Sequence, residues 1–195
     1  MMTPDQEREY IRQACTDPRA FAPIYDHYFP RVHAYVRYRV YDLQDAQDII
    51  ADVFFRVIRN LKRFRWRNTN SFAAWLFRIA HNLVMDYHRQ RKPAGLPLEL
   101  EDSLVGLVDQ APLPEDVLAQ QEAFRQIRAL IATLSPRRQE VITLRFYGGL
   151  RNYEIARVLG LDERTVAAHL CRALQDLERR YAAPTQPELA TEAAT

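Results

Sequence analysis

IARVLGLDERTVAAHLCRALQDL, residues 155–177, reads as two short apolar periods separated by a glycine. Ile155, Ala156 and Leu159 fall on one face of a short helix, and Gly160 suits the left-handed backbone of a tight turn. Asp162 is placed to cap the helix that follows, whose inner face is Val166, Leu170, Leu174 and Leu177. The small Ala156 lets the two helices approach closely. That geometry leaves Arg164, Ala167, Ala168, Cys171, Arg172 and Gln175 facing outward on the second helix. The pattern is a helix-turn-helix, and the outward face is the one that would read a DNA major groove. A plain helical hairpin is the competing reading.

Upstream, helical spacing covers residues 5–92. Ala46, Ile49, Ile50, Val53, Val57 and Leu61 form one stripe, and Phe72, Leu76, Ile79, Ala80 and Leu83 form another. Between them RFRWRNTN, residues 63–70, breaks the period, and Ser71 is placed to cap the second helix. Pro93, Pro97, Pro112 and Pro114 lie among acidic and small apolar residues, a composition that suits an extended linker over 93–118. Helical spacing resumes at Leu118 and runs through Phe124, Ile127, Leu130 and Ile131. Ser135-Pro136 then opens a further helix. Residues 183–195 read as a disordered tail. The expected fold class is all-α: two small helical domains, 1–92 and 119–182, joined by an acidic flexible linker.

Composition narrows the function. The chain has 195 residues, only five glycines and two cysteines, Cys15 and Cys171, far apart in sequence. Glycine is too scarce for a many-stranded barrel or a glycine-rich nucleotide fold, and no disulfide framework or Cys-x-x-Cys zinc pattern exists. No apolar run approaches the roughly 18–20 residues that span a bilayer, and the polar, acidic N-terminus is unlike a signal peptide. A cytoplasmic protein with no membrane partner is expected. The net charge of +2 conceals blocks: −2 over 1–30, +8 over 31–92, −6 over 93–118, +4 over 119–182 and −2 over the tail. Two basic modules flanking an acidic segment point to a polyanionic partner. Lysines occur only at 62 and 92, so the positive charge is largely arginine, whose planar fork suits phosphate and guanine edges.

Two surfaces stand out on the first module. Asp45, Asp48, Asp52 and Phe55 share one helix face, and an exposed aromatic beside three carboxylates suits docking on a basic, partly apolar helix. The bland alternative buries Phe55 in the core. On the next helix Trp75, Arg78, Asn82, Asp86 and Arg89 share a face. It is preceded by Arg63, Arg65, Trp66 and Arg67 and followed by Arg91 and Lys92. Arginines interleaved with aromatics and an amide suit single-stranded DNA: guanidinium groups hold phosphates while rings receive unstacked bases. Trp75 as a core residue is the alternative.

The stretches DAQDIIADVF (45–54), FAAWLFRIAHNLVMD (72–86) and LSPRRQEV (134–141) resemble the extracytoplasmic-function class of bacterial sigma factors, small two-domain initiation subunits of RNA polymerase. The resemblance covers roughly 20–92 and 119–180. It implies a region-two bundle followed by a region-four helix-turn-helix. Asp45, Asp48, Asp52 and Phe55 would then meet the clamp helices of core polymerase, whose flap is a further expected contact. Arg63, Arg65, Trp66, Arg67, Ser71, Trp75, Arg78, Asn82 and Arg89 would hold the opened minus-ten element, with Asn82 and the preceding loop receiving a flipped base. Arg164, Thr165, Ala168, His169 and Arg172 would meet the minus-thirty-five duplex. The acidic linker resembles the segment that threads the polymerase's RNA channel, and an anti-sigma protein is a further partner the resemblance allows. Some positions depart from the pattern. Ala51 stands where Gln is frequent, and Arg151 where a Ser cap is usual, leaving Asn152 to cap one residue later. Arg164 stands where Gly is common, and Ala167 and His169 at usually basic positions.

An enzyme is the first rival. No Walker, G-x-G-x-x-G, His-Glu-x-x-His or Gly-x-Ser-x-Gly pattern exists. His81 and His88 are seven apart, but a metal site would need further ligands. No catalytic residue, metal or cofactor is expected. The second rival is a stand-alone helix-turn-helix regulator. It accounts for the C-terminal module but leaves the acidic-aromatic face and the arginine-rich loop unused.

Overall fold

The computed structural model describes residues 2–66, 71–91 and 125–182. The linker 93–118, the tail 183–195, Arg67, Lys92 and the helix start expected at Leu118 lie outside these residues. All regular structure among the described residues is helical.

Helix α1, Pro4–Ala14, opens on a capping box. Thr3 Oγ1 accepts from the Gln6 amide at 3.3 Å while Gln6 Oε1 accepts from the Thr3 amide at 3.0 Å. A 3₁₀ turn, Pro18–Phe21, leads into α2, Ala22–Arg39. Helix α3, Leu43–Asn60, is capped by Asp42, which accepts from the Asp45 amide at 2.9 Å. Helix α4, Phe72–Arg91, starts as the sequence predicts, with Ser71 Oγ accepting from the Ala74 amide at 3.0 Å. These helices surround a core that includes Ile24, Val32, Tyr35, Val53, Phe72, Leu76 and Phe77.

The second module contains α5 (helical over 125–132), α6 (Pro136–Phe146), α7 (Asn152–Leu159) and α8 (Glu163–Ala182). Gly160 takes φ +67° as the turn requires, and the Asp162 carboxylate accepts from the Thr165 amide at 2.8 Å. Two expected caps differ. Ser135 holds the cap position of α6, but its hydroxyl makes no capping bond. Asn152 is the first helical residue of α7 rather than its cap, and its amide oxygen is buried without a partner. The N-terminus is served instead by Glu154, which accepts from the Arg151 amide at 2.8 Å. The inner face of α8 also shifts. Val166 and Ala173 are fully buried, whereas Leu174 is 43% exposed, because α6 meets α8 along the Ala173 side.

The modules do not stand apart. One buried cluster runs from Phe77 and Leu76 of α4 through Leu144 of α6 to Ile155 and Val158 of α7. Gly148 allows the approach: a Cβ there would lie 3.0 Å from the Phe77 ring and 2.7 Å from the Leu144 carbonyl.

Candidate nucleic-acid interface

The acidic-aromatic face is on the surface. Phe55 is 62% exposed, so its helix leaves a large apolar ring in solvent. Asp48 is exposed and accepts from Gln44 Nε2 at 3.3 Å. Asp52 pairs with Arg56 one turn on at 2.9 Å, a surface pair of small energy. Asp45 differs. Its carboxylate accepts from the Tyr87 hydroxyl at 3.1 Å and from Arg91, so it braces α3 against the end of α4.

The strand-binding candidates gather around an aromatic nest. Phe64, Trp66, Phe72 and Trp75 contact edge to face or tilted, with centroids 5.1–5.5 Å apart. Both tryptophans are half-buried, so Trp75 lies between the two sequence readings. Arg8 from α1 covers the Trp66 ring at 5.2 Å, a contact with no signal in the local sequence. Arg65 donates to the Lys62 carbonyl at 2.7 Å, and Arg63 is exposed. Along α4, Arg78, Asn82 and Arg89 are exposed, with Arg89 paired to Asp86 at 3.1 Å.

The N-terminal part of this face touches the second module. Ser71 Oγ donates to Glu154 Oε1 at 2.6 Å, and Arg78 donates to the Arg157 carbonyl at 2.6 Å. Arg31 of α2 donates to the carbonyls of Gly148 and Gly149 at 2.9 and 3.1 Å, packed over the rings of Tyr28 and Phe77. Tyr38 stacks on Tyr147, and Arg128 donates to the Tyr38 carbonyl at 2.6 Å. His81 lies half-buried at the same seam. Its Nδ1 is 3.2 Å from the Tyr35 hydroxyl and its Nε2 is 4.0 Å from Glu140. Burial, with Arg39 and Arg137 adding repulsion, pushes its pKa down to about 4 despite that carboxylate.

On α8 the outward residues are those the sequence assigns. Arg164, Ala167, Ala168, Cys171, Arg172 and Gln175 are exposed, and Thr165 is partly tied to Asp162 through its hydroxyl at 2.6 Å. His169 turns partly inward. Its Nδ1 is buried without a partner among the described residues, and burial with Arg137, Arg138 and Arg172 nearby lowers its pKa.

The sequence reading missed an apolar groove of about 470 Å³ between α5, α6 and α8. Ile127, Phe146, Leu174 and Tyr181 line it and are 51%, 61%, 43% and 82% exposed. The signals were the apolar spacing of Ile127, Leu130 and Ile131 and the apolar period of α8, both of which contribute to the lining.

Comparison with known proteins places these faces in context. Residues 24–93 match the model of sigma-70 region 2, and residues 124–177 match that of sigma-70 region 4. The ECF RNA polymerase sigma factor BldN of Streptomyces coelicolor is 32% identical over 163 residues, covering 82% of this chain and 60% of that protein. The ECF RNA polymerase sigma factor SigW of Bacillus subtilis is 28% identical over 173 residues, covering 84% and 90%. In fold the chain is similar to CnrH in its complex with the cytosolic domain of CnrY, with a TM-score of 0.67, 23% identity and 91% and 98% of the two chains covered. It is likewise similar to the sigma factor RpoE, bound to the anti-sigma factor NepR from Bartonella quintana, with a TM-score of 0.62, 20% identity and 84% and 97% covered.

Proposed function

Because the chain belongs to the sigma-70 family, in its extracytoplasmic-function group, we propose that it is a promoter-specificity subunit of RNA polymerase, working in the cytoplasm without catalytic residues of its own. The observation that carries this reading is Phe55, exposed on the same helix as Asp48 and Asp52. A stand-alone regulator has no use for it.

In this reading Asp48, Asp52 and Phe55 dock on the clamp helices, with Asp45 setting the angle of α3 through Tyr87 and Arg91. The groove beside Phe146, Leu174 and Tyr181 receives the apolar helix of the polymerase flap, and an anti-sigma protein would compete there. Arg164 and Arg172 enter the minus-thirty-five duplex, where a good bidentate contact to a base is worth about 1–3 kcal/mol of discrimination. The arginines around Trp66 and Trp75 hold the backbone of the opened minus-ten strand. Asn82 meets the edge of a base after it leaves the stack, offsetting an unstacking cost of a few kcal/mol. The acidic linker mimics nucleic acid in the RNA channel.

Docking is the decisive test. Asp48→Arg with Asp52→Arg should abolish co-elution with core polymerase while leaving helical content and duplex DNA binding unchanged. Co-elution at the wild-type level would remove the α3 face from the mechanism.

A further inference from the structure

Helix α1 precedes residues 24–93, the stretch that matches sigma-70 region 2, and no motif in the sequence gives it a role. It is nevertheless fixed to the first module. Ile11 and Ala14 are buried in the core, and the Tyr28 hydroxyl of α2 donates to Glu7. Most of the charge on α1 is thereby committed, since Glu9 and Arg12 pair with each other at 2.7 Å. Arg8 is the exception. Its side chain is exposed, its guanidinium lies 5.2 Å over the Trp66 ring, and among the described residues it forms no ion pair. Trp66 also meets Phe64 at 5.1 Å with the ring planes 78° apart, and Phe64 leans on Trp75 at 5.1 Å. A guanidinium stacked on an indole uses only its π face. Its N–H donors lie in the guanidinium plane and stay available to a second, bidentate partner.

We propose that Arg8 is a strand-binding residue supplied from outside the matched region: it braces the Trp66 indole and offers its in-plane donors to a phosphate of the opened minus-ten strand. The proposal rests on the reading of the Trp66 and Trp75 surface as the strand-capturing one, and it adds a fixed cation on α1 to that surface. The Trp66 face under Arg8 is closed to a base, so the indole serves to aim the guanidinium while other rings of the nest meet the bases. A base stacked there brings its flanking phosphates alongside, where an uncommitted arginine fork can take one. Because α1 is held by Ile11 and Ala14, the fork is placed before the strand arrives and little freedom is lost on contact. The contact is to the backbone, so it adds affinity for any strand and reads no sequence.

The test uses holoenzyme assembled from core polymerase and the full chain as wild type, Arg8→Ala or Arg8→Lys. Fluorescence anisotropy follows a fluorescein-labelled single strand of mixed sequence over a series of salt concentrations, with core polymerase alone as the reference. Arg8→Ala should weaken binding roughly three- to tenfold. It should also reduce the slope of log affinity against log salt by about 0.7, the share of one phosphate on a single strand. Arg8→Lys keeps the charge and should retain the slope. Helical content and melting temperature should match wild type, since the side chain is exposed. In a free chain carrying Trp75→Phe, Trp66 is the one tryptophan left, and Arg8→Ala should increase acrylamide quenching of its emission. Weaker binding with an unchanged slope, or Arg8→Lys behaving as Arg8→Ala, would overturn the phosphate contact; unchanged quenching would overturn the brace. If wild-type holoenzyme binds the strand more tightly than core alone and Arg8→Ala keeps its affinity and slope, Arg8 alone fails. If wild-type holoenzyme gains nothing over core, the strand-capturing surface fails and Arg8 with it.

Discussion

Helices α4 and α8 are both 20 residues long, both carry arginines on an outward face, and both read from sequence as DNA-binding. Their surroundings differ. The outward face of α8 is exposed among the described residues, whereas the start of α4 adjoins an aromatic nest and α7. The difference follows from what each helix buries. Helix α4 is apolar enough to fill one core on one side and to contribute Phe77 and Ala80 to the seam with the second module. Helix α8 buries only Val166 and Ala173 fully, packs Leu170 partly against the core and leaves Leu174, Leu177 and Tyr181 lining a groove.

The most severe way to break this comparison is to hollow out the seam. Phe77→Ala removes a fully buried ring that supports Arg31 and faces Gly148. It should cost about 3–5 kcal/mol and lower the melting of both modules together. Leu174→Ala, on the exposed side of α8, should cost under about 1 kcal/mol, since little burial is lost. Two well-separated calorimetric transitions in the wild-type chain would show that the shared cluster does not couple the modules.

A smaller effect sharpens the α8 half. Arg172→Ala should weaken minus-thirty-five duplex binding by about 1–3 kcal/mol if the side chain reads a base edge, with discrimination at one base pair relaxed. Loss spread evenly over all sequences, with a shallower salt dependence, would assign Arg172 to phosphate.

The smallest expected effect concerns pH. Half-buried His81 is neutral in the fold with its pKa pushed down to about 4, against an ordinary value near 6.5. As pH falls below about 6.5 the unfolded chain takes up a proton that the folded chain refuses, so His81's contribution to stability is complete above that value and fades toward pH 4. His169 and His27 shift in the same direction, while burial raises the Glu7 carboxyl and opposes them. His81→Gln should flatten the fall in denaturation midpoint between pH 6.5 and 4 by roughly 1–2 kcal/mol. An unchanged slope would place the acid sensitivity elsewhere.

Much of the candidate site was legible because its signals are local. Ser71, Gly160 and Asp162 each sit where a helix boundary needs that side chain, and the outward face of α8 follows from where Val166 points. The spacing of Asp48, Asp52 and Phe55 likewise fixes a shared face, and exposure of Phe55 was one of two readings that spacing allowed. Asn152 was misread because a cap depends on which residue leaves the helix first. Glu154 reached the free amide from inside the first turn, and no composition rule separates the two.

The sequence by itself determined the helical periods, the caps at Ser71 and Asp162, the helix-turn-helix and the family, because these depend on neighbours within a few residues and on periods of 3.6. Only the tertiary structure decided which apolar faces pair across the chain. It closed Phe77 onto Gly148, tied Ser71 and Arg78 to the two ends of α7, and left Phe146, Leu174 and Tyr181 open as a groove. The first two outcomes depend on contacts between residues about 70–120 apart, and a helical period says how much surface must be buried without saying against what.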